Sequence, residues 1–126
     1  MIINIKEKIN ITYNLKKFRI ELFSKRFGRI VKEGVDFLDS YKKIQFFLEE
    51  KGFLICLNGS RIDINSSGFL RDSSNGLLTY LLSYDFMKEK DILNIFDICV
   101  ENIGTIKDQI IYFENWKKEF KRNNPL

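Results

Sequence analysis

Apolar and polar residues alternate along the first part of the chain, from Ile9 to Leu15 and again from Phe18 to Leu22. A period of two residues is typical of half-buried strands. Ser24–Gly28 can turn the chain, so Arg29–Lys32 is expected to return as a short third strand. We favour these strands over a helix, although a period near 3.6 residues also fits Ile20, Phe23, Phe27, Ile30 and Val31.

Two later stretches predict helices. From Val35 to Lys51, apolar residues recur at spacings of three and four, which is the period of an amphipathic helix. Asp36 or Asp39 can cap its start, and Gly52 can close its end in the left-handed conformation. A second helix is expected near the C-terminus, with an apolar stripe and capping signals formed by Thr105, Ile106, Asp108, Ile110, Phe113, Trp116, Phe120 and Asn123–Pro125.

The middle of the chain predicts strands around a polar loop. Phe53–Leu57 is a continuous apolar run, which favours a strand covered on both faces. Asn58-Gly59 is a hairpin-turn signal, and Arg61–Asn65 then alternates as a strand with one wet face. Ser66–Asn75 has no periodicity and predicts a loop, and Leu77–Leu82 predicts another buried strand.

Lys90–Val100 fits either a helix or a strand. With the other elements it predicts an α+β fold over residues 1–126 as a single domain. In this fold an antiparallel or mixed sheet carries the helix near residues 37–51 and the C-terminal helix on one face.

The length and composition agree with one folded core. The chain has 126 residues, of which 44% are apolar, and no apolar run approaches the roughly 20 residues that cross a bilayer. The first ten residues lack the apolar core of a signal peptide. We therefore expect a cytoplasmic protein with no membrane partner. Cys56 and Cys99 are expected to be buried free thiols; a disulfide between them is possible but not needed for the fold.

The net charge of +4 is unevenly distributed. Residues 1–51 carry twelve basic and seven acidic groups, and residues 105–126 carry five and three, whereas residues 52–104 carry four basic and seven acidic groups. The basic N-terminal segment, with interleaved Phe18, Phe23 and Phe27, could hold single-stranded nucleic acid through phosphate contacts and stacking. We favour another interpretation, in which the basic residues form a solvated strand face and the phenylalanines beneath it are in the core. Nucleic acid is the alternative partner. The basic residues are Lys16, Lys17, Arg19, Lys25, Arg26, Arg29 and Lys32.

The absence of histidine excludes Ser-His-Asp and Cys-His catalytic sites, and no phosphate-binding glycine motif is present. Asp63 and Asp72 flank the polar loop and could form a carboxylate pair. We favour simpler roles for them, as a residue on the polar face of a strand and as a turn former. We therefore expect no catalytic residue, no metal and no cofactor.

The polar loop is the strongest candidate for recognition, because a rigid sheet can hold a loop in a defined shape. Its length of roughly ten residues exceeds the typical four to six. We predict Arg61, Asp63, Ser67, Arg71 and Asp72 as partner-binding residues. A self-contained loop without a partner, in which the charged side chains form internal links, is the alternative.

This segment also resembles a known family. Over about Phe53 to Phe120, the chain is similar to small bacterial immunity proteins encoded beside polymorphic toxins of the contact-dependent growth inhibition type. The residues that carry the resemblance are Gly59-Ser60-Arg61-Ile62-Asp63, Ser67-Gly68, Asp72, Gly76, Tyr80, Asn94-Ile95-Phe96-Asp97, Gln109 and Trp116. The resemblance implies an immunity protein that neutralises a cognate protein toxin by occlusion, without catalysis. The acidic segment suits a basic nuclease domain as that partner.

Overall fold

A computed structural model describes residues 10–125. Three strands begin the fold, namely β1 (Asn10–Asn14), β2 (Arg19–Ser24) and β3 (Gly28–Lys32). They form an antiparallel meander in the order β1-β2-β3, which confirms the strand prediction over the helical alternative. The alternation buries one face, where Ile20 and Leu22 are at most 1% exposed.

Helix α1 (Phe37–Glu50) packs on the buried face of this sheet. Of the two candidate caps, Asp36 is the one used, because its carboxylate accepts a hydrogen bond from the amide of Asp39 at 2.8 Å. At the other end Gly52 has a φ of +84°. The amide of Phe53 donates to the carbonyl of Leu48 at 2.9 Å, which completes the predicted left-handed closure.

A second antiparallel sheet consists of β4 (Ile64–Asn65), β5 (Leu78–Leu81) and β6 (Ile92–Asn94) in that order. The predicted strand at Leu77–Leu82 is thus confirmed in its centre. The ambiguous stretch at Lys90–Val100 contributes the short strand β6 and otherwise irregular chain.

Two predictions for the stretch from Phe53 to Ser60 are wrong. Phe53–Leu57 is not a strand covered on both faces, since only a single antiparallel bridge joins Leu57 to Ile98 and Leu54 is 50% exposed. Asn58–Ser60 is a buried 3₁₀ turn rather than a hairpin turn. Its backbone bonds to residues 95–97 instead of closing a hairpin, so distant contacts override the local turn preference.

Helix α2 (Gly68–Ser74) forms inside the segment that the sequence predicts as a loop. The hydroxyl of Ser67 caps it by accepting from the amide of Leu70 at 3.1 Å. Asn75 and Gly76 close it with φ values of +54° and +80°. Its seven residues make only about two helical turns, which is too short to produce a visible period, so the sequence pattern predicts a loop.

Helix α3 (Ile106–Asn123) is confirmed, with a full capping box between Thr105 and Asp108. The indole of Trp116 is buried and donates to the carbonyl of Ser83 at 2.8 Å, which fixes α3 against the second sheet. Ile110, which the predicted stripe includes, is 58% exposed.

The structure thus has the predicted α+β architecture, with a mid-chain helix and a C-terminal helix. The expectation of two buried thiols is wrong, since Cys56 is exposed and Cys99 is half-buried. Cys56 lies on the irregular segment that replaces the predicted two-sided strand. Within residues 10–125, no helix is both long and apolar enough to cross a membrane.

Gly76→Ala should destabilise the fold by about 3 kcal/mol, as measured by urea unfolding. Gly76 has a left-handed φ, and an added Cβ would lie 2.6 Å from the amide nitrogen of Leu38. Gly52→Ala is the matched control, because Gly52 has a similar φ with open space around it. It should cost only about 1 kcal/mol, and equal losses for the two variants would contradict a close approach at Gly76.

Candidate binding surface in the recognition segment

We call Leu57–Gly76 the recognition segment. Its first part is buried rather than presented to solvent, since Ser60 is fully buried and Asn58 is 8% exposed. The amides of Asn58 and Gly59 donate to the carbonyls of Asp97 and Ile95, both at 2.9 Å. A buried backbone group must be paired, so these bonds fix the turn against the following part of the chain.

Tyr41 of α1 meets this turn directly. Its hydroxyl and that of Ser60 form a buried hydrogen bond of 2.7 Å. Burial raises the pKa of Tyr41 above its usual value, although the bond to Ser60 opposes the shift. The ring covers Gly59 so closely that an added Cβ would lie 2.6 Å from its Cζ atom.

Gln109 of α3 joins the same turn from the other side. Its amide nitrogen donates to the carbonyls of Gly59 at 2.9 Å and Arg61 at 2.8 Å. Its amide oxygen accepts from the ammonium group of Lys42, which also donates to the side-chain oxygen of Gln45 at 3.1 Å. Helices α1 and α3 are therefore linked through the buried start of the recognition segment.

Lys42 is an unusual member of this network. Desolvation lowers the pKa of its ammonium group to about 8, with the negative charge of Glu49 acting weakly in the opposite direction. Its hydrogen-bond acceptors are neutral amide and carbonyl oxygens. Among residues 10–125 it takes part in none of the ion pairs within 4 Å.

Arg61 and Asp63 form a two-pronged ion pair, with N–O distances of 2.8 and 2.9 Å. Hydrogen bonding to Asp63 raises the pKa of Arg61 further above its ordinary value, against the opposing effect of burial. The side-chain amide of Asn102 also donates to Asp63 at 3.1 Å. The side chains of Arg61 and Asp63 are only 12% and 9% exposed, so this pair is internal.

Arg71 pairs with Asp36, the capping residue of α1. Burial would raise the pKa of Asp36, but hydrogen bonds from Arg71 and from the amide of Asp39 outweigh it, and the net shift is downward. The amide of Phe37 also donates to the carbonyl of Asn75 at 2.9 Å. The short helix α2 is thus tied to the start of α1.

The exposed residues of the recognition segment are on α2 and at Asn75, which caps its C-terminal end. Phe69 is 82% exposed, and Asp72, one turn later, is also exposed. Of the five predicted partner-binding residues, Arg61 and Asp63 contact each other, Ser67 caps α2 and Arg71 bonds Asp36. Sequence reasoning missed Phe69; the Ser67 cap followed by Leu70 is the signal that could have shown a short helix with Phe69 on its outer side.

A second exposed apolar surface lies beside the Leu57–Ile98 bridge. Ile98 and Val100 are 85% and 75% exposed, and Leu54 is 50% exposed. Exposed carboxylates occur in the same stretch of sequence, at Asp85, Glu89, Asp91, Asp97 and Glu101.

The basic N-terminal segment is partly neutralised within the chain. Glu21 accepts a hydrogen bond from Arg29 at 2.5 Å, which lowers the pKa of this carboxyl group. Arg19 lies 3.6 Å from the same carboxylate. Of the interleaved aromatics, Phe18 packs edge-on against Phe37 and Phe27 against Phe53, while Phe23 is 54% exposed.

Comparison of the chain with protein-family models and with curated proteins finds no match. Over the part of the chain that the structure describes, no three His, Cys, Asp or Glu side chains converge as a metal site would require.

Gly59→Ala should destabilise the protein by about 2 kcal/mol or more, because the added methyl group would overlap the buried ring of Tyr41. Gly68→Ala is the control, since an added Cβ there meets nothing within 4 Å. It should change the free energy of unfolding by less than about 0.5 kcal/mol. A Gly59→Ala protein as stable as Gly68→Ala in urea would show that the turn is not closely covered.

Lys42 should make stability rise with pH. Its folded pKa of about 8 lies below the unfolded value of 10.5, so between these values the unfolded chain binds more protons. The free energy of unfolding should therefore increase from pH 8 to pH 10, on the order of 2 kcal/mol. Urea unfolding of Lys42→Met should lack this increment, whereas Lys43→Met, on the exposed side of α1, should retain it. Parallel pH profiles for wild type and Lys42→Met would contradict the assignment.

Proposed function

We propose that this protein is a cytoplasmic immunity protein that binds a cognate toxin domain and blocks it without catalysis. The resemblance of the Phe53–Phe120 region to immunity proteins of contact-dependent growth inhibition systems supports the proposal. The observation that carries it is Phe69, a large apolar side chain that is 82% exposed on a firmly held helix.

Phe69 has the properties of an interface anchor. Exposed aromatic side chains that enter a partner's pocket contribute much of the energy of protein interfaces. Helix α2 is capped by Ser67, tied to α1 through the Arg71–Asp36 pair and closed by Gly76. A side chain on a preorganised element loses little conformational freedom on binding, which favours affinity.

The charge of the surrounding chain suggests the kind of toxin. Residues 52–104 carry seven acidic and four basic groups in a protein whose net charge is +4. Arg61 is neutralised internally by Asp63, and Arg71 by Asp36, so the exposed charge of this segment is chiefly negative. A basic nuclease domain would be steered toward such a surface.

The five partner-binding residues then divide into two roles. Arg61, Asp63, Ser67 and Arg71 shape the recognition segment through internal bonds. Asp72 is exposed beside Phe69 and would contact the toxin directly.

A nucleic-acid-binding function is less well supported. Glu21 lies against both Arg19 and Arg29, and two of the three interleaved phenylalanines are partly buried against other aromatic rings. Arg19 and Arg29 would have to leave this carboxylate before they could replace the counterions of a phosphate.

Phe69→Ala should weaken binding at least about 30-fold to the C-terminal toxin domain encoded by the adjacent upstream gene, measured by calorimetry and by rescue of cells expressing that domain. Asp72→Ala should reduce the association rate more than it changes the dissociation rate. Both variants should unfold within about 0.5 kcal/mol of wild type, because both residues are exposed.

Phe46→Ala is the matched control, since Phe46 is 58% exposed on α1, in the basic part of the chain. It should bind normally. Loss of binding in Ile98→Ser but not in Phe69→Ala would move the interface to the second apolar surface and leave the immunity function standing. Failure of the wild-type protein to bind or neutralise the domain would reject the function. An RNA or DNA oligonucleotide bound at about 50 mM salt and released at about 200 mM would favour the alternative.

A further inference from the structure

The two cysteines occupy facing positions of an antiparallel backbone pair. Leu57 and Ile98 form the bridge, and the amide of Cys99 donates to the carbonyl of Cys56 at 3.1 Å on one side of it. Residues directly opposite in such a pair have their side chains on the same face, with Cα atoms about 4.5–5.5 Å apart. Disulfides span Cα separations of about 4.4–6.8 Å, so facing backbone positions of this kind are compatible with a disulfide between the two cysteines.

The two cysteines differ in their exposure to solvent and in their hydrogen bonds. Cys56 is exposed to solvent, whereas Cys99 is half-buried. The Sγ atom of Cys99 accepts a hydrogen bond from the Nη1 atom of Arg61 at 3.4 Å. Asp63 holds the other two nitrogens of the same guanidinium group, so the cation is fixed beside Cys99.

We propose that Cys56 and Cys99 form a reversible, peroxide-driven disulfide. The exposed Cys56 thiolate attacks a peroxide oxygen, so an S–O bond forms, the O–O bond breaks and hydroxide leaves to become water. The Cys99 thiolate then attacks the sulfur of the resulting sulfenic acid, and the S–O bond breaks as the S–S bond forms and a second water leaves. Two thiols lose two electrons, and hydrogen peroxide is reduced to two waters.

The Nη1 atom of Arg61, which donates to the Cys99 sulfur, stays beside that sulfur during the second step. The product joins the irregular segment before the Asn58–Ser60 turn to the segment after β6. It closes a loop of 44 residues, from Cys56 to Cys99, that contains the whole recognition segment, and such a closure restricts the unfolded chain. Oxidation thereby stabilises the frame that holds α2.

Hydrogen peroxide added to the reduced, purified chain should lower the reactive thiols from two to none, with a monomeric band on non-reducing gels. Intact mass should fall by two hydrogens, and the Tm should rise by about 5–10 °C. Dithiothreitol should restore both thiols and the original Tm.

Single variants assign the order of the steps. Cys99→Ser should accumulate a sulfenic acid at Cys56 that dimedone traps, while Cys56→Ser should react slowly because Cys99 is half-buried; neither should gain stability on oxidation. A dimedone-reactive Cys56 that persists in the wild type, a covalent dimer as the main product, or two thiols still free after peroxide treatment would overturn the proposal.

Discussion

The fold depends on pairing the backbone and side-chain polar groups of one buried turn. Asn58–Ser60 lies in the interior, where unpaired amides and carbonyls would cost several kcal/mol. Its partners come from three directions, namely Tyr41 on α1, Gln109 on α3 and the chain that follows β6. These bonds can form together only when all three elements are in place. The turn therefore fixes the positions of these elements relative to one another.

The same network explains why a polar segment stands between apolar runs of the sequence. Its first residues are not a surface loop but the polar centre at which two helices meet. This network includes the half-buried ammonium group of Lys42, whose hydrogen-bond acceptors are neutral. Desolvation of this group lowers its pKa to about 8. Buried polar networks of this kind specify one arrangement of elements more than they add stability.

From this centre the recognition segment becomes progressively more exposed. The Arg61–Asp63 pair is nearly covered, and the Arg71–Asp36 pair is partly covered. Only on α2 do Phe69 and Asp72 reach solvent. A rigid base with a small exposed tip suits a protein that acts by binding, and this gradient is the physical basis of the proposed toxin contact. The cysteine pair adds a covalent means of tightening the same base.

Local signals in the sequence were enough to predict the three-stranded meander, α1 and α3. Strict alternation, the Asp36 and Thr105 caps and the glycine at position 52 each depend on near neighbours, and each is present in the structure. The sequence also determined the charge asymmetry and the lack of histidine. These properties require no knowledge of distant contacts.

Tertiary structure decided the middle of the chain. Whether Asn58-Gly59 is a hairpin or a buried turn depends on carbonyls near position 95, nearly 40 residues away. The partners of Arg71 and Cys56 are equally distant, at Asp36 and Cys99. Long side chains and short turns have weak local preferences, so the energy of pairing buried polar groups, which exists only in the folded chain, determined where they lie.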